Sequence, residues 1–578
     1  MENLQSHAAT KRIVVVGGVA GGMSCAARAR RLDENAEIIV LERGEHVSFA
    51  NCGLPYFVGG EIADPAALLV QTPASLRAAL ALDVRTGHDV IGLDAATKTL
   101  TVRTAGGDQH IEYDALVLSP GAAAFVPPIP GIDSPRVRTL RTVRDATDLR
   151  DMLTAGSRRA VVLGAGFIGI EAAEALAAEG LDVTVVEMAP QPLPPVEAEL
   201  AWLVSQELAR LGIDVRVGVA AASIEHHDDH DVVVLADGAR VDADLVVLSV
   251  GVRPDTSVFE TGGVECERGA IVVDAHGRTS VPGIWAVGDA TISVDAATGA
   301  RRPVALAGPA NRAGRLVADD IIRPESAREI PHAVGTAIVR VGELTVALTG
   351  ANRRALAEAG IDHRTLHLHA NQHAGYFPGA SQVHLVVHIA PETGLLLGAQ
   401  AVGLDGVDKR IDVLATAIRA GMTVDELIDL DLAYSPPYGA AKDAVNMTGM
   451  VGENVLGGTL ALWYAAALDD VLATSLVLDV RRDDEWVTGH VPGALHIPHT
   501  QLRERLDEVR AQAAGRPVRV MCASGVRSAI AHRILTQAGI DSASLSGGML
   551  TLRATLGARA GDVLVTPDLS AQKELQNV

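Results

Sequence analysis

The sequence of 578 residues is poor in cysteine, in aromatic residues and in positive charge, and each shortage excludes something. Four cysteines are too few for a disulfide framework, so we expect a chain that works in the reducing cytoplasm, where a cysteine is either packed in a core or reactive. Lys and Arg number 49 against 71 Asp and Glu, which leaves a formal charge of −22 and disfavours binding to nucleic acid or to an anionic membrane surface. No run approaches the roughly 18 apolar residues of a membrane span. Residues 1–10 lack the apolar stretch of a signal peptide.

What the sequence does contain predicts several packed domains. Apolar residues make up 48% and charged residues 21%, which excludes wholesale disorder. Because aromatic residues supply only 3%, the cores must be built from Ala, Val, Leu and Gly. At roughly 150 residues per domain, the length predicts three to five domains.

A strand, a glycine-rich turn, a helix and a second strand follow one another twice in the chain. The first unit begins with the apolar run Lys11–Val16 and ends at Glu42, and the second begins with Arg159–Leu163 and ends at Glu187. Two such units indicate two nucleotide-binding domains or an internal duplication.

The second turn, Gly164–Gly169, fits the pattern G-x-G-x-x-G. Its glycines, Gly164, Gly166 and Gly169, let the backbone approach a pyrophosphate at the positive end of a helix. Glu187, at the end of the next strand, can accept hydrogen bonds from the adenosine ribose. Because this carboxylate also repels a 2′-phosphate, NADH is favoured over NADPH.

The first turn, Gly17–Gly22, departs from the strict pattern, because Val19 stands where the second glycine is expected. A dinucleotide fits only if the Val19 side chain points away from the phosphates. Glu42 retains the acid that binds ribose.

Three further segments resemble motifs of flavoproteins with two dinucleotide-binding domains. Ser280–Asp289 resembles their second flavin signature, whose Asp holds the ribityl chain, and Leu116–Ala122 and Leu248–Pro254 resemble their crossover motifs. The resemblance implies FAD and NADH as cofactors. The residues we expect at FAD are Gly17, Gly18, Gly21, Gly22, Glu42, Arg43, Ser119, Gly121, Gly288 and Asp289. Those expected at NADH are Gly164, Gly166, Gly169, Glu187 and Gly251.

A single cysteine, Cys52, lies just after the first unit, in the segment Ser48–Tyr56. Dithiol reductases of this superfamily carry C-x₄-C here, so the redox centre of this chain must combine one cysteine with the flavin. An unperturbed thiol of pKa about 8.5 is only a few per cent thiolate at pH 7. We expect the oxidised flavin and hydroxyl donors to lower the pKa of Cys52.

The same segment closely resembles the coenzyme A disulfide reductase group of single-cysteine flavoproteins. The related water-forming NADH oxidases and NADH peroxidases carry a catalytic His where this chain has Ala20, and they tend to have Ser where it has Asn51. Two later segments resemble the tyrosine segments of the reductases and contain Tyr376 and Tyr434.

The resemblance implies roles for these residues and a homodimer. Tyr376 and Tyr434 are expected over the active cysteine, the second being contributed by the partner subunit. Four residues are expected to line the coenzyme A site, and they are Arg28, Ser48, Asn51 and, as a weaker candidate, Gln71. Arg28 would supply a cation to the phosphates of the ligand, although arginines on a helix are as often simply solvated.

The last hundred or so residues resemble a rhodanese domain. Asp479–Pro498 carries an acidic strand end followed by a G-H-x-P-G-A turn, and Cys522–Arg527 has the C-x-x-G-x-R form of an active rhodanese loop. Backbone amides at the start of a helix can stabilise a thiolate and then a persulfide on Cys522. Arg527 is expected to add positive charge.

The sequence thus predicts an α/β protein with two Rossmann-like domains for FAD and NAD(P)H, an α+β dimerisation domain and a C-terminal α/β rhodanese domain. The expected bounds are 11–155 and 249–330 for the FAD domain, 156–248 for the NAD(P)H domain, 331–455 for the dimerisation domain, 456–470 for a linker and 471–560 for the rhodanese domain. The histidines from His363 to His373 have no acid or cysteine among them in a ligand pattern, so no metal is expected.

The function expected from the resemblance is NADH-dependent reduction of coenzyme A disulfide, persulfides or polysulfides at Cys52, with Cys522 handling sulfane sulfur. An NADH oxidase or peroxidase is an alternative, and Ala20 counts against it. A redox sensor with little turnover is the alternative from another class.

Overall fold

The computed structural model describes residues 10–565, and contacts within the chain define two units. The first unit holds the residues up to Leu193 together with Leu208–Gly335. The second unit holds Pro194–Glu207 together with the residues from Thr336 onwards.

The elements of the N-terminal part are short strands alternating with helices. Up to residue 155 they are β1 (Arg12–Val16), α1 (Ala20–Leu32), β2 (Glu37–Glu42), α2 (Leu54–Val58), α3 (Pro73–Leu80), β3 (Asp83–Thr86), β4 (Asp89–Asp94), β5 (Thr99–Thr104), β6 (Gly107–Glu112), β7 (Ala115–Leu118), β8 (Ala122–Ala124), β9 (Val137–Arg138) and α4 (Val143–Thr154). From residue 156 to 248 they are β10 (Arg159–Leu163), α5 (Phe167–Ala178), β11 (Asp182–Glu187), α6 (Ala198–Arg210), β12 (Asp214–Val217), β13 (Ala221–His226), β14 (Asp231–Leu235), β15 (Arg240–Ala243) and β16 (Leu245–Leu248). From 249 to 335 they are β17 (Val252–Pro254), α7 (Ser257–Thr261), β18 (Cys266–Glu267), β19 (Ala270–Ile271), β20 (Ile284–Ala286), β21 (Ile292–Val294), β22 (Arg301–Pro303) and α8 (Ala307–Ile322).

Two parallel sheets organise the first unit. The first sheet has the order β20-β7-β1-β2-β3 and the second the order β12-β11-β10-β16-β9. After a first half-buried arginine, the central strands β1 and β10 are apolar and buried, as expected for strands covered on both faces. The three-stranded antiparallel sheets β4-β5-β6 and β13-β14-β15 accompany them. Strand β9 pairs with β16, so residues 137–138, which we assigned to the FAD domain, belong to the second sheet.

The second unit contains an antiparallel sheet and one more parallel sheet. Its elements up to residue 456 are β23 (Ala337–Val341), β24 (Leu344–Gly350), α9 (Arg353–Glu358), β25 (Arg364–Asn371), β26 (Gln382–Ile389), β27 (Leu396–Gly403), α10 (Val407–Ala420) and α11 (Ala444–Leu456). The remaining elements are β28 (Leu462–Trp463), α12 (Leu468–Thr474), β29 (Leu476–Asp479), α13 (Asp483–Trp486), β30 (Leu495–His496), α14 (Leu506–Ala513), β31 (Val518–Met521), α15 (Val526–Gln537), β32 (Ser542–Leu545), α16 (Gly548–Leu556) and α17 (Ala560–Val563).

These two sheets match the predicted α+β and α/β domains. The antiparallel sheet has the order β23-β24-β27-β26-β25, and its apolar side chains share one core with α10 and α11. The parallel sheet has the order β28-β32-β31-β29-β30. Strand β28 pairs with β32, so the predicted linker at 456–470 is too long: Leu462 and Trp463 form an edge strand of the C-terminal sheet, in which Trp463 is buried and Leu462 is half-buried. The predicted fold class is confirmed.

Among residues 10–565, no helix is both long and apolar enough to cross a bilayer.

Helices α1 and α8 approach each other closely because glycines meet at their contact. A Cβ added to Gly314 of α8 would lie 2.1 Å from the carbonyl oxygen of Gly21 in α1. Because no side chain fits between these two backbones, α8 packs directly against the first turn of α1. This contact holds the turn at the end of β1.

We predict that Gly314→Ala lowers the stability of the protein, because the added methyl group forces the two helices apart, at a cost of about 1–3 kcal/mol. Gly308→Ala is the matched control in the same helix, since a Cβ at Gly308 meets no atom within 4 Å. That variant should be neutral or gain up to about 1 kcal/mol from helix propensity. Thermal unfolding of the three proteins side by side provides the measurement, and equal midpoints for the two variants would contradict the close packing.

Candidate functional site

The turn between β1 and α1 opens into a cavity of about 370 Å³. Gly17 has φ +97°, and a Cβ there would lie 1.9 Å from the carbonyl oxygen of Ser119. A Cβ at Gly22 would lie 2.0 Å from the carbonyl oxygen of Gly17. Both glycines are therefore required by the packing of the turn, which brings the N-terminus of α1 to the edge of the cavity.

Eight of the ten residues expected at FAD surround this one cavity. They are Gly17, Gly21, Glu42, Arg43, Ser119, Gly121, Gly288 and Asp289. Val19 also borders the cavity, so this departure from the glycine pattern lies next to the space for the cofactor. A second cavity of about 220 Å³ shares Gly17, Glu42 and Arg43 with the first, which extends the available space along β2.

The donor and acceptor groups at the cavity suit a long phosphorylated cofactor. The Glu42 carboxylate accepts hydrogen bonds from the amides of Gly18 and Gly44, both at 2.8 Å, which hold it at the end of β2. Arg141 donates to Asp289 at 2.9 Å. The side-chain oxygen of Asn51 is buried without a hydrogen-bond partner. A buried acceptor of this kind is costly unless a ligand supplies the donor, so Asn51 supports the fit of a bound group in this cavity.

Cys52 lies beside the same cavity, in a single turn at Asn51–Gly53 that leads into α2. The residue is exposed. Its pKa is nevertheless raised, first by partial removal of solvent from the sulfur and then by the carboxylate of Glu171, while Arg141 acts in the opposite direction. The protein groups around the sulfur thus favour the thiol, and the lowering of the pKa expected from an oxidised flavin stays a prediction.

Glu171 and Arg141 are site residues that our reasoning from sequence missed. Glu171 lies on α5, two residues after the last glycine of the second turn, and the hydroxyl of Tyr56 donates to it at 3.4 Å. This position relative to Gly169 was the feature of the sequence that could have indicated Glu171 as a site residue. Arg141 lies before α4 with no motif around it, and only the fold brings it to Asp289 and Cys52.

Two of the residues expected to bind coenzyme A, Arg28 and Gln71, already have partners within the protein. Arg28 on α1 forms a salt bridge with Asp319 on α8 at 2.7 Å, and its expected role at the phosphates of coenzyme A stays a prediction. The side chain of Gln71 accepts from Ser75 at 2.8 Å at the start of α3. Ser48 has φ +47°, which is unusual for a residue with a side chain and marks a strained turn ahead of Cys52.

The second glycine turn differs from the first in one informative respect. A Cβ at Gly164 or Gly169 would lie within 2.4 Å of a backbone oxygen, whereas a Cβ at Gly166 would meet nothing within 4 Å. The protein itself does not require a glycine at 166, and this is the position where a dinucleotide approaches the backbone. Glu187 accepts from the amides of Ala165 and Ala189, both at 2.7 Å. Gly251 has φ +108°, in the turn that follows β16.

In the second unit, Tyr376 and Tyr434 form a pair on the surface. Their hydroxyl oxygens are 3.2 Å apart, and the side chains are 76% and 49% exposed. The hydrogen bond with Tyr434 raises the pKa of Tyr376. The contact joins the two predicted tyrosine segments within one chain, and the expected contribution of Tyr434 by a partner subunit stays a prediction.

Cys522 lies between β31 and α15, at the carboxyl end of a central parallel strand. Its sulfur accepts a hydrogen bond from the amide of Gly525 at 3.2 Å, and Gly525 has φ +100°. The side chain is only 1% exposed. The turn at the start of α16 contacts this loop through the backbone: the amide of Met549 donates to the carbonyl oxygen of Cys522 at 2.8 Å.

Arg527, expected to add charge to the Cys522 loop, is held by a carboxylate. Its two terminal nitrogens donate to the two oxygens of Glu485 at 2.6 and 2.7 Å. This bond lowers the pKa of Glu485 to about 2. Arg527 also interacts with Cys522, yet much of its charge is compensated, so the amide of Gly525 carries more of the work of holding an anion than we expected.

Among residues 10–565, no group of three or more His, Cys, Asp or Glu side chains is arranged to hold a metal ion.

Sequence profiles of known families match nearly the whole chain. The profile of the pyridine nucleotide-disulphide oxidoreductases matches residues 11–314, and that of their dimerisation domain matches 336–445. The rhodanese-like domain profile matches 460–554.

Three relatives illustrate the similarity. Coenzyme A disulfide reductase from Staphylococcus haemolyticus (strain JCSC1435) is 34% identical over 443 residues, which cover 76% of this chain and 98% of that protein. The crystal structure of reduced Bacillus anthracis CoADR-RHD is 38% identical, covers 96% of this chain and 99% of that one, and superposes with a TM-score of 0.93. The NAD-dependent persulfide reductase from A. fulgidus is 36% identical, covers 93% and 99% of the two chains, and has a TM-score of 0.87.

We predict that Glu171→Gln makes Cys52 react faster with iodoacetamide at pH 7. The carboxylate raises the pKa of the thiol, so its removal lowers that pKa and increases the thiolate fraction. Arg141→Gln should act with the opposite sign, because it removes the group that lowers the pKa. Alkylation of Cys52, followed against pH by mass spectrometry of pre-reduced protein, gives the measurement. A shift of the two profiles in the same direction would contradict this electrostatic assignment.

Proposed function

Because the chain belongs to the pyridine nucleotide-disulphide oxidoreductase family and carries a rhodanese-like domain, we propose that it reduces coenzyme A disulfide or a coenzyme A persulfide with electrons from NADH. Membership in this family implies FAD and NAD(H) as cofactors. The observation that carries the proposal is the position of a single exposed cysteine, Cys52, beside a cavity with a flavin-type glycine turn and an unpartnered Asn51 oxygen.

The residues around the cavity would bind and orient the flavin. The N-terminus of α1 would hold its phosphates, Glu42 would accept from its ribose, and Asp289, which pairs with Arg141, would hold its ribityl chain. FAD, when bound, supplies the means to pass an electron pair from NADH to a disulfide. Gly164, Gly166 and Gly169 would hold the pyrophosphate of NADH at the start of α5.

Cys52 exchanges thiols with the substrate. Its thiolate attacks one sulfur of coenzyme A disulfide, the S–S bond breaks, and one coenzyme A leaves as a thiolate while the other stays on Cys52 as a mixed disulfide. One electron pair, supplied by NADH, then cleaves this mixed disulfide, which releases the second coenzyme A thiol and restores the Cys52 thiolate. In total, two electrons and two protons convert one disulfide into two thiols.

The tyrosine pair supplies a proton donor for the leaving sulfur. A tyrosine hydroxyl is protonated at neutral pH, because its ordinary pKa is about 10, and the contact with Tyr434 holds the hydroxyl of Tyr376 in place as a donor. We infer that a second copy of the chain completes the site: the dimerisation-domain match and the exposure of both tyrosines support a homodimer in which one subunit presents the pair to Cys52 of the other.

Cys522 accepts sulfane sulfur in the rhodanese domain. Its thiolate attacks the outer sulfur of a persulfide or of thiosulfate, the donor leaves as a thiolate or as sulfite, and Cys522 becomes a persulfide stabilised by the Gly525 amide and, more weakly, by Arg527. The fusion keeps this sulfur carrier at high effective concentration near the reductase.

An NADH oxidase finds less support in the site. Ala20 borders the flavin cavity at the place where the oxidases carry a histidine, so this position supplies no imidazole to an oxygen-derived intermediate.

We predict that NADH is preferred over NADPH by about tenfold to a hundredfold in kcat/KM, because a 2′-phosphate near the Glu187 carboxylate costs about 1–3 kcal/mol. Two amides hold this carboxylate in place, so it cannot turn away freely. Glu187→Gln should reduce the ratio of kcat/KM for NADH to kcat/KM for NADPH. Asp182→Asn, at the exposed opposite end of β11, is the matched control and should leave it unchanged. Equal kcat/KM values in the native protein would contradict the assignment.

We predict that Cys52→Ser keeps its flavin and still accepts electrons from NADH but loses disulfide reduction, whereas Cys522→Ser keeps disulfide reduction and loses sulfur transfer from thiosulfate. The physical reason is that the two sulfurs belong to separate centres with separate supporting groups. Cys266→Ser, a partly buried thiol outside both centres, controls for the loss of a cysteine.

The measurement is both activities on all three variants, with flavin content determined for each. Near-normal disulfide turnover by Cys52→Ser would overturn the proposed mechanism. Loss of disulfide reduction in Cys522→Ser at unchanged flavin content would show that the two centres form one obligatory relay.

A further inference from the structure

Two histidines of the dimerisation domain contact the rhodanese domain directly behind its cysteine loop. Both lie on the same face of β25, since they are two residues apart in one strand. Nδ1 of His367 is 2.7 Å from the hydroxyl of Ser546, and Nε2 of His369 is 2.8 Å from the hydroxyl of Thr551. Ser546 and Thr551 lie on either side of the turn at which α16 begins.

That turn is in direct contact with the Cys522 loop. The amides of Met549 and Leu550 donate to the carbonyl oxygens of Cys522 and Ala523 at 2.8 and 3.0 Å. A Cβ at Gly548 would lie 2.5 Å from the Cys522 carbonyl oxygen, so the turn and the loop touch through their backbones. A displacement of the turn must therefore move the backbone of the residue that carries the reactive sulfur.

His367 is held from its other side as well. Its Nε2 is 2.7 Å from a carboxylate oxygen of Glu199, whose second partner is Arg353. Although burial opposes ionisation of Glu199, the bond to His367 and the charge of Arg353 lower its pKa to about 2. The side chains of His367 and Glu199 are 7% and 6% exposed. A charged, buried anchor on one side and a hydroxyl on the other leave the imidazole little freedom to reorient.

We propose that His367 is a positioning residue for Cys522: anchored by Glu199, it holds Ser546 and thereby the turn whose amides set the backbone of the Cys522 loop. The proposal rests on the proposed sulfur transfer at Cys522. It makes the dimerisation domain a structural part of the sulfurtransferase site, which the rhodanese domain by itself does not complete.

Substitutions of His367 can separate its two contacts. An Asn side chain places its amide near the position of Nδ1 and keeps the contact with Ser546, whereas a Gln side chain reaches the position of Nε2 and keeps the contact with Glu199. Positioning through Ser546 predicts that His367→Asn, although it loses the anchor to Glu199, retains more sulfur transfer than His367→Gln and His367→Ala. A role in packing alone predicts that the two amide variants behave alike.

The test uses the full-length flavin-loaded protein. We expect His367→Ala and Ser546→Ala each to lower kcat for sulfur transfer from thiosulfate to cyanide by about tenfold with little change in KM, and the double variant to lose no more than either single one. NADH-dependent disulfide reduction on the same preparations should stay unchanged. His388→Ala is the matched control, because this buried histidine of the neighbouring strand bonds to Thr365 and Glu197 instead of Ser546.

A second readout does not depend on catalysis. Amide hydrogen exchange in the peptide that contains Met549 and Leu550 should be faster in His367→Ala and His367→Gln than in the native protein and in His367→Asn. If the native protein transfers no sulfur while this exchange pattern holds, the proposed function fails and the positioning stands. If transfer and exchange in His367→Ala match the native protein, or if His388→Ala reproduces the loss, the positioning proposal is overturned.

Discussion

The parallel sheet imposes the constraint on which the three α/β domains depend. Each central strand runs directly into a helix, so the unpaired amides of the first helical turn lie at the carboxyl end of the strand. Gly17 after β1, Gly164 after β10 and Cys522 after β31 occupy equivalent places in three different sheets. In the first two the backbone turns so tightly that a side chain would strike a carbonyl oxygen. In the third, the amide of Gly525 points at a sulfur instead.

The excess of acidic residues in the chain has a consequence at these sites, where arginines are paired with carboxylates. Of the arginines that border them, Arg28 pairs with Asp319, Arg43 with Asp255, Arg141 with Asp289 and Arg527 with Glu485. A cation that already has a carboxylate partner attracts a phosphate or a persulfide less strongly. We therefore expect the binding of anions to depend more on backbone amides than a count of arginines in the motifs would indicate.

The two sulfur centres differ in how their surroundings treat a thiolate. Cys52 is exposed, and the groups around it raise its pKa, with Glu171 adding a carboxylate to the effect of lost solvent. Cys522 is buried, accepts an amide hydrogen bond and lies near Arg527. A thiolate on Cys52 must therefore be stabilised by a ligand in the cavity. A thiolate on Cys522 is stabilised by an amide and a cation of the chain itself.

The order of domains and the residues of the glycine turns could be predicted from the sequence, because strand, turn and helix are local and their chemistry depends on residues a few positions apart. Gly166 shows this well: the pattern predicts a glycine that a ligand requires, and the structure has free space there. The same holds for the Cys522 loop, whose spacing alone indicates an amide-lined turn. The predicted linker failed at Leu462 and Trp463 because two apolar residues become a strand only when β32 lies beside them.

Only the tertiary structure decided which charges are paired and which residues from distant segments meet. The sequence around Arg28 does not indicate that Asp319 is its partner. The sequence around Cys52 does not indicate that Glu171 and Arg141 lie close to its sulfur. The contact between Tyr376 and Tyr434 and the one between His367 and Ser546 likewise join segments separated by tens to hundreds of residues. The sequence by itself determined the glycine turns and the Cys522 loop, since these need only neighbouring residues. The electrostatic setting of each reactive group depends on distance in space, which only the packing of the sheets and helices establishes.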